Sequence, residues 1–229
     1  MSEKLIIVGT GPNSVHVYSF IKDYNLFDVI GFAVNREYIT EDTFEGLPVY
    51  PIEDLDKHID KENTLLFVAL LWNRLNSDRK KLYTELKKQG YHFANLISPK
   101  ATVRGELAGD NCWVHDYVVI QNNTVIHSNV AMMAYSLVGD HSDIGAHCFM
   151  GTKSTVGGGS SIGEQTFIGI NCTVFDDTKV GKKCILGACT AVKRNVPDFS
   201  LYKTSSEMVI KQYAETEIET KLIAKQNVR

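Results

Sequence analysis

One short segment of the chain, VGDHSDIGAHCFM, concentrates side chains that can do chemistry. Its carboxylate, imidazole and thiol groups belong to Asp140, His141, Asp143, His147 and Cys148. Such groups are ligands of transition metals, and an imidazole beside a carboxylate can also act as a general base. Which chemistry is possible depends on the direction of each side chain, and therefore on the elements that carry them.

The bulk composition describes a globular protein. The chain has 229 residues, of which 44% are hydrophobic and 22% charged, with a net charge of −3. This length allows one or two domains with a substantial core. Lys and Arg form no basic stripe and no apolar run is long enough for a membrane span, so we expect no nucleic-acid or membrane partner and a cytoplasmic location. The odd number of cysteines, five, does not suggest a disulfide framework.

Residues 1–97 alternate predicted strands with predicted helices. LIIV (5–8), VIGFAV (29–34) and LLFVALL (65–71) read as buried strands. A helix is expected after Asn76, whose side chain could cap it. Strands that alternate with helices predict a small parallel sheet, so we expect a Rossmann-like α/β domain here.

A glycine-containing loop, GTGPNS, joins the first strand to the first helix. Backbone N–H groups at such a helix start can cradle a phosphate, although a tight turn explains the glycines equally well. The third glycine of a dinucleotide motif is replaced by Ser14, and the second strand ends at Asn35 rather than at an acidic residue. If a nucleotide binds here, a nucleotide sugar is therefore favoured over NAD. The residues expected to line this site are Gly9, Gly11, Asn13, Ser14 and Asn35.

From Val114 to Val192 the chain repeats every six residues. Each of the fourteen repeats has an aliphatic residue or Met at one position, a small residue two positions earlier, and in eight cases Gly one position later. Residues i and i−2 of a strand share a face, so both point inward, and Gly is expected to relax the corner that follows. This period predicts a parallel β-helix. Four cysteines occupy the small inward position and are expected to be core fillers: Cys112, Cys148, Cys172 and Cys184.

The combination of a small nucleotide-binding α/β domain with hexapeptide repeats resembles bacterial sugar acyltransferases of the sialic acid O-acetyltransferase and bacillosamine N-acetyltransferase type. The resemblance spans nearly the whole chain and is carried by GTGPNS, by GGGSSIGEQTFIGINCTV (157–174) and by LGACTAVKRNVPD (186–198). The segment 70–101 looks most similar to the branch that acts on dTDP- or UDP-linked 4-amino-sugars. The resemblance implies a left-handed, triangular β-helix over 98–198, preceded by the α/β domain at 1–97 and followed by a tail at 199–229 that we expect to be helical.

The triangular coil decides whether His141 and His147 can bind the same metal ion. His141 and His147 are one repeat apart, so they fall at different corners, more than about 10 Å from each other. They cannot share an ion within one chain, because metal ligands lie within about 2.3 Å of the ion. We expect no metal.

The resemblance implies a catalytic base at a coil corner. In the family, a corner His followed by an acidic residue takes the proton of the acceptor, and His141 is the best match. The pattern departs by one position: Asp140 holds the usual His position, and His141 is followed by Ser142. Asp140 and Asp143 are both candidates to orient the imidazole and to raise its pKa.

The resemblance also implies acetyl-CoA as co-substrate and a homotrimer with active sites between subunits. The N–H groups of Gly157, Gly158 and Gly159 are expected to meet the thioester oxygen. Further residues expected along the coenzyme are Gly169, Asn171, Lys182 and Lys193.

The sequence hypothesis is thus an acetyl-CoA-dependent N-acetyltransferase for a nucleotide-linked amino-deoxysugar of a cell-surface glycan, such as lipopolysaccharide. Three alternatives stay open at this point. They are an O-acetyltransferase of sialic acid or another sugar, a zinc hydratase of the γ-carbonic anhydrase kind, and a non-catalytic nucleotide-sugar sensor.

Overall fold

The structure is a computed structural model that describes residues 3–203. An α/β part comes first and a β-helix follows it. Within this range no helix has both the length and the apolar character that crossing a membrane requires.

The α/β part is built on one six-stranded sheet with the strand order β3-β4-β2-β1-β5-β6. All neighbouring pairs are parallel except β3 and β4. The elements are β1 Lys4–Val8, α1 Pro12–Tyr24, β2 Asp28–Val34, β3 Thr43–Phe44, β4 Leu47–Pro51, β5 Thr64–Val68, α2 Ser77–Lys88 and β6 His92–Phe93, with 3₁₀ turns at Arg36–Tyr38 and Ile52–Lys57. The central strand β1 is apolar because both faces of the sheet are covered, and Leu5 to Val8 are fully buried.

The second part winds two-residue strands into three parallel sheets. These strands are β7 Leu96–Ile97, β8 Thr102–Val103, β9 Glu106–Leu107, β10 Trp113–Val114, β11 Val119–Ile120, β12 Val125–Ile126, β13 Ala131–Met132, β14 Leu137–Val138, β15 Asp143–Ile144, β16 Phe149–Met150, β17 Thr155–Val156, β18 Ser161–Ile162, β19 Phe167–Ile168, β20 Thr173–Val174, β21 Lys179–Val180, β22 Ile185–Leu186, β23 Ala191–Val192 and β24 Leu201–Tyr202. Sheet I contains β7, β10, β13, β16, β19, β22 and β24; sheet II contains β8, β11, β14, β17, β20 and β23; sheet III contains β9, β12, β15, β18 and β21.

Residues eighteen apart pair in register through most of the β-helix, as Val119 with Leu137 and Val125 with Asp143. The arrangement fits the parallel β-helix that the hexapeptide period predicted and the left-handed form that the family resemblance implied. The inward aliphatic positions, from Val114 to Val192, are at most 3% exposed, and the four inward cysteines are fully buried. The predicted core of this part is therefore confirmed.

The β-helix extends beyond the range expected from the repeats. Its first strand is β7, at Leu96–Ile97, and its last is β24, at Leu201–Tyr202, whereas the expectation was 98–198. Of the tail expected to be helical at 199–229, Leu201–Tyr202 form strand β24 instead, and 204–229 lie outside the described residues.

The glycines of the repeat have a different role from the one expected. From Tyr117 to Cys189, every sixth residue has a φ between 52° and 67°, and only Gly159 among them is glycine. The glycines one position after the aliphatic residue have no such φ; instead they let successive coils approach each other. A Cβ on Gly145 would lie 2.7 Å from the backbone nitrogen of Glu164, and one on Gly139 would lie 2.5 Å from that of Gly158.

Replacing Gly145 with Ala is therefore expected to lower the free energy of unfolding by about 1–3 kcal/mol, because backbone must shift to admit the methyl group. Urea denaturation measures this change. The matched control is Gly187→Ala, at the same position of a later repeat, since a Cβ there would meet its nearest neighbours at 3.4 Å, an ordinary contact, and the effect should stay within about 0.5 kcal/mol. Equal effects of the two substitutions would contradict the close-approach explanation.

The α/β part packs on sheet I of the β-helix. The outward side chains Trp113, Ala131 and Phe149 of that sheet are buried in one cluster with residues of α1 and β5. The β-helix is triangular in section, so the corner between sheets II and III lies opposite this covered face.

Candidate active site

The corner between sheets II and III, here called the II–III corner, carries two of the three predicted catalytic residues, Asp140 and His141. His141 is exposed there in a left-handed backbone conformation, with a φ of 59°. Its Nε2 lies 3.2 Å from the Nδ2 of Asn123, one coil earlier. An amide donates only through nitrogen, so in this orientation the proton of the neutral ring is on Nδ1. Rotation of the amide would let Nε2 donate to its oxygen and leave Nδ1 free to accept a proton.

The expectation that Asp140 or Asp143 orients His141 is not met within the chain. The Oδ1 of Asp140 accepts the backbone N–H of Asn122 at 2.8 Å, which ties two successive coils together. The Oδ2 of Asp143 lies 3.1 Å from Nε2 of His127 instead. Asp143 is an outward residue of β15 and points along sheet III, away from the corner, so the pairing with His127 follows from strand alternation.

The three glycines expected to supply free N–H groups have none to offer. Gly157 N–H donates to the Val174 carbonyl at 2.9 Å and Gly159 N–H to the Asp140 carbonyl at 2.8 Å. Gly158 N–H donates to Oδ1 of Asp176 at 2.8 Å. The role proposed for them as oxyanion donors is therefore wrong in this conformation, because coil stacking uses each group.

The other predicted coenzyme residues are spread over all three corners. Lys193 follows β23 and lies at the II–III corner with His141. Gly169 and Asn171 follow β19 and lie between sheets I and II, while Lys182 follows β21 and lies between sheets III and I. One chain therefore does not bring these residues together at one corner.

Cysteine chemistry is disfavoured in the core of the β-helix. Burial raises the pKa of Cys148 to about 12 and that of Cys112 to about 11. Both side chains are fully buried. A thiol that stays protonated and out of reach is not a nucleophile. Within residues 3–203, no group of three His, Cys, Asp or Glu side chains could hold a metal ion.

His147 lies at a different corner, between sheets III and I, here called the III–I corner. It is 8% exposed and its Nδ1 accepts from Nδ2 of Asn129 at 2.8 Å. Its backbone carbonyl accepts from Nδ2 of Asn76 at 2.7 Å, so the Asn76 side chain joins the two parts of the chain and does not cap α2 as expected. Burial, with a smaller contribution from Lys80, lowers the pKa of His147 to about 4.

This lowered pKa gives stability a specific dependence on pH. Unfolded His147 titrates near 6.5 but folded His147 near 4, so between these values the unfolded state binds the extra proton. We expect the folded state to lose about 1–3 kcal/mol from this group as the pH falls through that window. Urea denaturation at several pH values measures it, with His147→Gln as the reference that lacks the titration. If the pH dependence of the variant equals that of the wild type, this account of His147 is wrong.

The α/β part has clefts at the carboxyl ends of β1, β2 and β5, where ligands bind in open parallel sheets. One cleft of about 440 Å³ is lined by Asn13 and Asn35, as the sequence predicted. Ser14 is not part of it: this side chain is 1% exposed, and its Oγ packs so closely on Gly9 that a Cβ there would lie 2.8 Å away. The expected contact of Ser14 with a ligand is therefore corrected to packing inside the loop.

Several residues of the clefts were missed from the sequence. Tyr38 lines both this cleft and a neighbouring one of about 260 Å³, while Asn73 and Arg74 line the larger one. Arg74 has an ion pair with Asp78 and is largely exposed. The sequence indicates these residues only by their position, because Tyr38 follows β2 and Asn73 and Arg74 follow β5. No motif distinguishes them from ordinary loop residues.

Comparison with solved structures gives clear neighbours. Perosamine N-acetyltransferase from Caulobacter crescentus, as a mutant in complex with CoA and GDP-perosamine, matches with a TM-score of 0.76 and 26% identity over 86% of this chain and 92% of that one. The acetyltransferase domain of PglB from Neisseria gonorrhoeae matches with a TM-score of 0.75 and 21% identity over 87% and 95% of the two chains.

A third structure, WeeI from Acinetobacter baumannii, matches in fold with a TM-score of 0.52 and 16% identity over 85% of this chain and 93% of that one. No family model matches the sequence, and no curated protein matches it. The resemblance drawn from the sequence is nevertheless confirmed: the structural neighbours of this chain include perosamine N-acetyltransferase, in complex with CoA and GDP-perosamine, and the PglB acetyltransferase domain has the same fold.

Proposed function

We propose that this protein is an acetyl-CoA-dependent N-acetyltransferase that acts on a nucleotide-linked amino-deoxysugar, with His141 as general base. The observation that carries the proposal is the match to perosamine N-acetyltransferase over 86% of the chain, through both the α/β part and the β-helix. The 440 Å³ cleft at the strand ends gives the nucleotide a place, and the exposed His141 gives the acceptor a base.

The roles divide between the two parts of the chain. The α/β part, a Rossmann-like domain, binds the nucleotide sugar through the cleft beside Asn13 and Asn35. The acceptor amine attacks the thioester carbonyl of acetyl-CoA while His141 removes a proton from the nitrogen. The product belongs to the synthesis of a cell-surface glycan, such as lipopolysaccharide, and the reaction takes place in the cytoplasm.

The working unit is a homotrimer with active sites between subunits. The α/β part of a chain covers sheet I, whereas His141 is at the opposite corner. A sugar bound in the α/β part therefore faces away from His141 of its own chain, and a neighbouring copy must bring the two together. The same copy would bring Gly169, Asn171 or Lys182 toward the coenzyme. Light scattering tests this assembly against the chain mass of 25.6 kDa.

A thiol-release assay with acetyl-CoA tests the function. The acceptors are GDP-perosamine, UDP- and dTDP-linked 3- and 4-amino-deoxysugars, and sialic acid. Transfer to an amino-sugar supports the proposal, and transfer to sialic acid alone supports the O-acetyltransferase alternative. Binding of the nucleotide sugar without turnover of any acyl-CoA would indicate a sensor, and zinc in the purified protein together with CO₂ hydration would indicate a hydratase.

A further inference from the structure

The II–III corner stacks four residues in one column at intervals of eighteen: Asn123, His141, Gly159 and Asp177. All four have left-handed backbone conformations, with φ between 55° and 67°. Successive coils of a parallel β-helix are about 4.8 Å apart, so Asp177 lies about 10 Å beyond His141 along the corner.

One coil in this column lacks side chains. Gly157, Gly158 and Gly159 form the only run of three glycines in the sequence, and they occupy the coil between His141 and Asp177. At the other two corners, each described coil carries a side chain at the left-handed position. The result is one coil without side chains at this corner, here called the glycine gap, with His141 on one side and Asp177 on the other.

The carboxylate of Asp177 leans over this gap. Its Oδ1 lies 2.4 Å from the point where a Cβ on Gly159 would stand. Two other acidic residues at the corner have carboxylates that accept backbone N–H groups: Asp140 from Asn122 and Asp176 from Gly158. Within residues 3–203 the Asp177 carboxylate has neither a hydrogen bond nor an ion pair with another side chain, and the residue is exposed. A negative charge is therefore available at the gap.

We propose that Asp177 selects an amine over a hydroxyl as the acceptor, by attracting the protonated amino group of the sugar into the glycine gap beside His141. This inference rests on the proposed function and deepens it. An amino-sugar presents an ammonium group on arrival, which a carboxylate attracts. A hydroxyl group in the same place carries no charge and gains nothing from Asp177.

In the reaction that follows, Asp177 neither forms a bond nor transfers a proton. The ammonium group loses one proton to solvent, and the nitrogen lone pair forms the new C–N bond with the thioester carbonyl. The C–S bond breaks and its electron pair remains on sulfur. His141 takes the second proton from nitrogen and delivers it to the thiolate, giving the amide and free CoA. Positive charge on nitrogen during attack is also stabilised by Asp177.

The test compares two isosteric charge removals at neighbouring positions. In Asp177→Asn, the KM for GDP-perosamine, or for whichever amino-sugar nucleotide the panel assay selects, is expected to rise about tenfold, the order expected for one charge pair near solvent. The KM for acetyl-CoA should stay within about twofold, because that substrate has no ammonium group. In Asp176→Asn, the new side chain still offers an oxygen to Gly158 N–H, and the KM for the amine should change little.

The hydroxyl counterpart of the same nucleotide sugar, GDP-rhamnose for GDP-perosamine, provides a second measurement. Its inhibition constant as a competitor should be the same for wild type and Asp177→Asn. A rise equal to that of the amine KM would show a general loss of binding, and would overturn the inference. Equal effects of the Asp177 and Asp176 substitutions would also overturn it.

Filling the glycine gap tests the location by a second substitution, because a Cβ on Gly159 would displace the Asp177 carboxylate from the gap. Gly159→Ala is expected to lower kcat/KM for the amine at least tenfold while the fold survives, because the same left-handed position holds non-glycine residues at the neighbouring coils. Unchanged activity would place the acceptor elsewhere. If wild type transfers acetyl to no amine, the proposed function fails and the inference with it; if wild type is active and Asp177→Asn retains the wild-type KM, the inference alone fails.

Discussion

Replacing His141 with Asn is expected to lower kcat/KM for the amino-sugar by about 10²-fold or more, with little change in thermal stability. The imidazole is exposed, and its one recorded hydrogen bond among residues 3–203 is to the side chain of Asn123. Asn keeps a polar group of similar reach at the corner but cannot accept a proton at neutral pH. A loss of this size is what removal of a general base produces.

The partner of His141 affects how large the loss can be. A carboxylate beside the ring would favour the imidazolium form and raise its pKa. An amide such as that of Asn123 orients the ring without adding charge. In this structure the ring of His141 is therefore positioned by Asn123 and not by a carboxylate.

The matched control for this prediction is His127→Asn. His127 is also a histidine on the outer surface of the β-helix, and it pairs with Asp143 at 3.1 Å. Its side chain is 44% exposed, so a surface contact of this kind contributes little to stability. Activity should remain within about threefold of wild type, since a group outside the site costs little transition-state stabilisation. If His127→Asn is the more damaging change, the base is the His127–Asp143 pair and the proposed assignment is wrong.

If His141→Asn kept full activity, His141 would not be the base, and another explanation of proton removal would be needed. Asp140 is a poor substitute base, because Oδ1 already accepts the N–H of Asn122 and the side chain is only partly exposed. If His127→Asn is active as well, the remaining explanation would be attack by an amine that needs no protein base.

The repeat part of the fold could be predicted well because its inward positions face the same requirement in each coil. Val114 and each sixth residue after it must fill the same core, so the sequence shows the period directly. The first coil is irregular, and this hid the true start. Leu96 pairs with Trp113 at a separation of 17, and Glu106 pairs with Val125 at a separation of 19. Separations of 17 and 19 residues break the six-residue period, so the first coil could not be recognised from the sequence.

The site was harder to predict because its partners come from neighbouring coils. The residue type alone does not show that Gly158 N–H donates to Asp176, or that Asp143 turns to His127. These pairings depend on whether a residue belongs to a strand or to a corner. Because each strand has only two residues, an error of one position in the register assigns a strand residue to a corner or a corner residue to a strand. His141 was placed at its corner correctly because the hexad fixes the position, while its neighbour Asn123 was not identified.

The largest loss of stability is expected for Asn111→Ala, at the interface between the α/β part and the β-helix. Asn111 is fully buried at the III–I corner. Its Oδ1 accepts the N–H of Val68 at 2.9 Å, its Nδ2 donates to Oδ1 of Asn129 at 2.6 Å, and its carbonyl accepts from the buried Arg79 at 2.8 Å. One side chain thus joins the end of β5 to the next coil of the β-helix.

Truncation to Ala leaves the Val68 N–H and the Asn129 oxygen without partners in a region that excludes water. Each unsatisfied buried group costs about 1–3 kcal/mol. The left-handed conformation, with a φ of 56°, adds a smaller penalty because Ala tolerates it less well than Asn. We expect a total loss of about 3–5 kcal/mol in the free energy of unfolding, measured by urea denaturation at neutral pH.

The control for Asn111→Ala is Asn123→Ala, which changes the same residue type in the same backbone conformation, with a φ of 55°. Asn123 is exposed, so in the variant the ring of His141 exchanges its hydrogen bond to Asn123 for one to water, and the loss should be at most about 1 kcal/mol. The difference between the two variants isolates the cost of burial from that of the conformation. Similar losses in both would mean that the left-handed conformation dominates, and that the buried amide does not secure the α/β part to the β-helix.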